Sequence, residues 1–176
     1  VIAADNTAVL STMFGSTIPD FGPLRATARI RERNRTYGVP RLRLVIGDEK
    51  GAGLTVTGQI ATLLRPDGFS VEGIDVTAVA RNFVLPALPG RLGRTLADLG
   101  PYNGRFQVAG HAEKLSISNA DLTTLSPRGL RVEATGGIAG IRFTGDKPVE
   151  GMNLSLTASA PAWTALPAAA GLDLPD

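Results

Sequence analysis

Shifted by 78 residues, the chain falls on itself without a gap. Asp20-Phe21-Gly22-Pro23 lands on Asp98-Leu99-Gly100-Pro101, Gly51 on Gly129, and Thr57-Gly58 on Thr135-Gly136. Farther along, Ile60-Ala61 meets Ile138-Ala139, Glu72-Gly73 meets Glu150-Gly151, and Ala87-Leu88-Pro89 meets Ala165-Leu166-Pro167. Matches that bunch at turn residues mark a repeated supersecondary unit. Such a unit cannot bury its apolar face alone and stacks on its neighbours. The phase divides the chain into residues 1–19, the tail of a preceding repeat, residues 20–97, a first unit, and residues 98–176, a second. An array cut at both ends reads as a fragment of a longer protein.

Within each unit the apolar residues recur with period 2, the mark of strands with one buried face. Leu24, Ala26, Ala28 and Ile30 alternate with Arg25, Thr27, Arg29 and Arg31; Leu42, Leu44 and Ile46 alternate with Arg41, Arg43 and Val45. Leu54, Val56, Gly58 and Ile60 face away from Thr55, Thr57 and Gln59, and Ile74, Val76 and Ala78 from Asp75 and Thr77. The second unit repeats the scheme with Tyr102, Phe106 and Val108, then Leu115, Ile117 and Leu122, then Leu130, Val132 and Ile138, then Met152, Leu154 and Leu156. Because the spacing is even, the alternation stays in phase between copies. The 21 Gly and 12 Pro of the 176 residues supply the reversals, as in Asp48-Glu49-Lys50-Gly51 and Pro66-Asp67-Gly68. Strands joined by tight turns, with one long wet face, make an all-β antiparallel meander. Between the units, Phe83 to Leu96 is too rich in Pro and Gly for a long helix. It is expected to carry the chain back across the apolar side, with a helical turn near Arg91–Ala97, and Trp163 and Leu166 would do the same in the second unit.

Chemistry-bearing patterns are sparse. Eighteen Lys and Arg face sixteen Asp and Glu, a balance that gives little electrostatic attraction for nucleic acid. The chain has no cysteine, which excludes disulfides and thiolate metal sites. It has no run of 18 apolar residues and no visible signal peptide after Val1. The single histidine, His111, has no partner at metal-ligand spacing, and no serine sits in a Gly-x-Ser-x-Gly elbow. Gly51-Ala52-Gly53 precedes a strand, so it lacks the helix N-terminus of a phosphate loop. Asp48, Glu49, Asp67 and Asp146 sit in turn signals, and Asp146 with Glu150 is the nearest approach to a carboxylate pair. No enzyme activity, metal or cofactor is expected.

One charge pattern stands out. Arg25, Arg29, Arg31, Arg33 and Arg35 occupy odd positions and project from one face, and Arg41 and Arg43 extend the patch across the hairpin. It serves either as a solvated outer face that discourages sheet association or as a site for anionic headgroups at Arg25, Arg29, Arg31, Arg41 and Arg43. Without interleaved aromatics it offers no platform for bases.

The openings Phe21-Gly22-Pro23-Leu24 and Leu99-Gly100-Pro101-Tyr102 each precede a run of strands, and a Leu-Pro-rich connector lies between them. This pattern resembles the C-terminal repeat region of AsmA-family (AsmA/TamB-like) bacterial envelope proteins over residues 15–176. The resemblance implies an elongated, curved sheet with an open hydrophobic groove and short helical or irregular connectors. It also implies a periplasmic location, with the parent protein anchored in the inner membrane of a Gram-negative bacterium through parts outside this chain. The function it implies is movement of phospholipid toward the outer membrane and support of envelope integrity; no catalytic residues come with it. The arginine density from Arg25 to Arg43 is heavier than in a family strand.

Physical reasoning reaches a similar place, since an uncovered apolar face of this size binds something apolar and acyl chains suit it. The expected lining is Leu44, Ile46, Leu54, Val56, Ile60, Val76, Phe106, Val108, Leu122, Leu130, Val132, Ile138, Leu154 and Leu156. Cut repeats also expose raw strand edges, which favours edge-to-edge self-association. The alternative is a face closed on itself as a barrel or sandwich, giving a structural or adhesive stalk with a dry core.

Overall fold

The computed structural model describes residues 1–6, 20–65, 68–84, 100–126, 129–142 and 149–161. Nine strands account for most of them: β1 (Ile2–Ala4), β2 (Leu24–Arg33), β3 (Thr36–Gly47), β4 (Gly53–Arg65), β5 (Gly68–Phe83), β6 (Tyr102–His111), β7 (Lys114–Leu125), β8 (Arg131–Arg142) and β9 (Val149–Ser159). Every strand pairs antiparallel with its sequence neighbours, giving one sheet in the order β1 to β9. The sheet is open. Among the described residues it neither closes into a barrel nor packs on a second sheet, and no helix is present. The all-β antiparallel meander expected from the alternation is therefore the fold. The connector at 85–97, together with Trp163 and Leu166, lies outside the described residues.

Turn chemistry explains the hairpins. Asn34 and Arg35 both take positive φ, 51° and 60°, which is the two-residue turn whose twist matches the flanking strands. The Arg35 N–H donates to Glu32 Oε1 at 2.6 Å. Between β3 and β4 the Asp48 N–H donates to the Ala52 carbonyl at 2.8 Å, and Asp48 Oδ1 accepts from the Lys50 N–H at 3.0 Å, a local Asx turn.

The 78-residue spacing recurs in the strand bounds. Leu24–Arg33 and Tyr102–His111 are 78 apart at both ends, as are Thr36–Gly47 and Lys114–Leu125, and β4 and β8 start 78 apart. The registers follow: Val39↔Ile60 becomes Ile117↔Ile138, and Ile60↔Ile74 becomes Ile138↔Met152. Even β1 conforms. Ile2↔Ala26 is Ala80↔Gly104 moved back by 78, so β1 occupies toward β2 the place that the end of β5 occupies toward β6.

Strict alternation breaks at bulges, and these restore the faces. In β3, Val39 pairs with Ile60 and Leu42 with Gly58, so a bulge at Pro40-Arg41 puts an odd and an even residue on one side. In β7, Ile117 pairs with Ile138 while Ala120 pairs with Gly136, across a bulge that contains Asn119 at φ 50°.

A continuous apolar face and its surroundings

Directly paired residues share a face of a sheet, so the register can be followed across the strands. One row runs Ala4, Leu24, Ile46, Leu54, Ala80, Gly104, Leu122, Ala134, Leu156 and crosses all nine without a polar residue. A second runs Ala28, Leu42, Gly58, Val76, Val108, Ile117, Ile138, Met152 across β2 to β9. On the reverse side the corresponding row reads Arg25, Val45, Thr55, Val79, Arg105, Asp121, Thr135, Ser155. One side is oily from end to end, and the other is largely polar.

The oily side is hollowed where β5 meets β6. Phe21, Ile46, Leu54, Ala80, Phe83, Tyr102, Phe106 and Leu122 enclose a hollow of about 400 Å³. Phe21 and Phe83 stack with ring centroids 6.2 Å apart and planes 13° from parallel. Burial pushes the Tyr102 phenol above its ordinary pKa, because a phenolate would lose its hydration there. Toward β9 the same face emerges into solvent, with Met152 61%, Leu154 36% and Leu156 67% exposed.

Comparisons with family models, with curated proteins and with solved structures find no match. The site therefore rests on its own geometry.

The expected lining residues fall on this side as follows. Leu44, Ile46, Leu54, Val56, Ile60, Phe106, Val108, Leu122, Val132 and Ile138 are half-buried, Val76 is buried, and Leu154 and Leu156 are exposed on β9. Leu130 stands apart. It precedes β8 in the β7–β8 connection, 4% exposed, and its N–H donates to Ser126 Oγ at 3.1 Å. Alternation alone misses Val39, and Leu115 and Ile117, which it marks as apolar but with parity opposite to Leu122, stand outside the expected lining; the bulges bring all three onto the face. Alternation also leaves out Phe21 and Phe83, whose ends of strands carry no period. Pro40 was the available signal, since a proline inside a strand is confined to an edge or a bulge.

The arginines of the headgroup expectation lie on the reverse side. Arg29 pairs directly with Arg41, Thr27 with Arg43, and Arg31 with Gly38. All five are exposed, and among the described residues only Arg43 has an ion pair, with Glu49. Arg35 leaves the series in the hairpin turn. His111 ends β6, exposed. Asp67 and Asp146 lie outside the described residues. Glu150 is held instead by two cations, Lys114 Nζ at 3.0 Å and Arg142 at 3.1 Å. The Lys114 hydrogen bond and the Arg142 charge hold its carboxyl below the ordinary range.

Proposed function

We propose that this chain is a segment of a periplasmic lipid-transfer conduit. Its apolar face holds phospholipid acyl chains while headgroups stay in water, in support of inner-to-outer membrane lipid transport and envelope integrity. The observation that carries this reading is the row of apolar positions crossing all nine strands and ending in the exposed Leu156. Acyl chains suit such a face because their contacts are non-directional. Each methylene taken from water contributes about 0.8 kcal/mol, so binding grows with the length of chain seated rather than with any one contact. A track of this kind permits sliding and exchange; direction comes from elsewhere. The hollow between β5 and β6 supports the same reading as a place where a chain end would seat.

The test is lipid extraction and native mass spectrometry of the purified protein, with binding of a fluorescent fatty acid measured alongside. Retained phospholipid and saturable fatty-acid binding are expected. Leu156→Asp, at an exposed position, should leave the fold intact and reduce retention. A protein that stays lipid-free and binds no fatty acid sinks the proposal and leaves a structural or adhesive stalk.

A further inference from the structure

The two long edges of the sheet are built to fit one another. Among the described residues β9 has no outer neighbour along its eleven residues, Val149–Ser159, which are exposed at every position except Glu150 and free of Lys and Pro, the usual guards of an edge strand. At the other end β1 covers only Leu24–Ala26 of β2, and among the described residues no strand lies outside Thr27 to Arg33. The 78-residue spacing equates β9 with β5 and β2 with β6, and β5 and β6 are already paired inside the chain. The geometry points to head-to-tail association of copies of this chain, with β9 of one copy added antiparallel to β2 of the next in the β5–β6 register.

That register is specific. Val76↔Val108 becomes Leu154↔Ile30, and Ala78↔Phe106 becomes Leu156↔Ala28. Ile30 is 63% exposed and Leu156 67%, so the pairing buries the apolar side chains that each edge leaves in water. Polar meets polar on the reverse side, where Thr77↔Gln107 becomes Ser155↔Arg29. β1 lies on β2 in this same register, with Ile2 opposite Ala26 where Ala158 of a neighbour would come, so a docked β9 pairs as far as Thr157 and its last two residues, Ala158 and Ser159, leave the ladder at β1. The contact joins two different surfaces, so it propagates and yields open chains rather than a closed dimer. The inference stands on backbone register and does not rest on the lipid reading.

The absence of cysteine makes the test direct. Delipidated Leu154→Cys protein is mixed with Ile30→Cys protein and oxidised, and the pair Leu156→Cys with Ala28→Cys is treated likewise. Cross-linked heterodimer is expected in both mixtures, but not from Met152→Cys with Ala28→Cys, which is four residues out of register. Sedimentation of the unmodified protein should show a concentration-dependent ladder, lost in Leu156→Lys with its circular dichroism spectrum retained. Efficient cross-linking of Leu154→Cys alone means a symmetric β9–β9 contact and overturns the proposal. Equal cross-linking out of register, or a protein that stays monomeric at every concentration, overturns it as well.

Discussion

Some of the identities between the two halves are glycines at positions where the backbone leaves no room for a side chain. A Cβ on Gly58 would stand 2.2 Å from the Asp75 carbonyl oxygen, and one on Gly136 would stand 2.1 Å from that of Asn153, 78 residues on. A Cβ on Gly73 or Gly151, at φ 61° and 59°, would likewise stand 2.6 Å and 2.8 Å from the Cβ atoms of Ala61 and Ala139. Gly58→Ala is therefore expected to lower stability by more than Gly68→Ala, where φ is also positive but nothing lies within 4 Å. Strained backbone alone costs on the order of 1–3 kcal/mol, and the clash at Gly58 adds to it. Urea unfolding of the two variants checks the order, and equal midpoints would count against it. Glu150 supplies a second expectation. Its carboxyl pKa is lowered below the ordinary 4.5. Its contribution is thus full above the unfolded-state pKa and is lost as pH falls through the lower folded-state value. Glu150→Gln should melt slightly below the parent at neutral pH, and the two curves of Tm against pH should converge in acid. A gap that persists at low pH would assign the loss to packing instead.

Strand identity was legible in the sequence because one face is wet, which keeps the period-2 signal clean from Leu24 to Leu156. The strand interiors were less so. Odd–even counting places Ile117 and Leu122 on opposite faces, and only the bulge at Asn119 brings them together. A bulge is one extra residue in one strand, opposed by its partner's register, so neither strand announces it alone. Pro40 and Asn119 were local hints of it. The hollow was hidden for a different reason: Phe21 and Phe83 meet across 62 positions of sequence, through a contact no periodicity encodes. The bulge invites a test. Asn119 holds φ 50° and its Nδ2 donates to Gln107 Oε1 at 2.8 Å. Asn119→Gly keeps the conformation and gives up the hydrogen bond, worth about 1 kcal/mol. Asn119→Val must force a β-branched residue into the left-handed region, roughly 1–2 kcal/mol further. Denaturant midpoints should fall in the order parent, Gly, Val, and a valine variant as stable as the glycine one would show that the bulge can move.

At the scale of the molecule, strands in substantial contact are always sequence neighbours, from β1 with β2 to β8 with β9. Stability in such an array is close to a sum of nearest-neighbour terms, as in stacked repeats, rather than the property of one shared core. The inner strands have a neighbour on each side, and β4, β5 and β6 also carry the walls of the hollow. Among the described residues β9 has one neighbour and exposed apolar side chains, so it opens at little cost. Backbone amides should therefore exchange with solvent in a gradient: slowest in β4 and β5, faster toward β8, and fastest in β9 and β1. Local opening free energies range from near zero at frayed edges up to the global value in the best-supported strands. Hydrogen–deuterium exchange at low protein concentration, where copies do not associate, reads this profile directly. Uniform protection across all strands would mean that the sheet opens only as a whole. Raising the concentration supplies the decisive comparison, because β9 and the Thr27–Arg33 stretch of β2 should then gain protection together while β4 and β5 stay as they were.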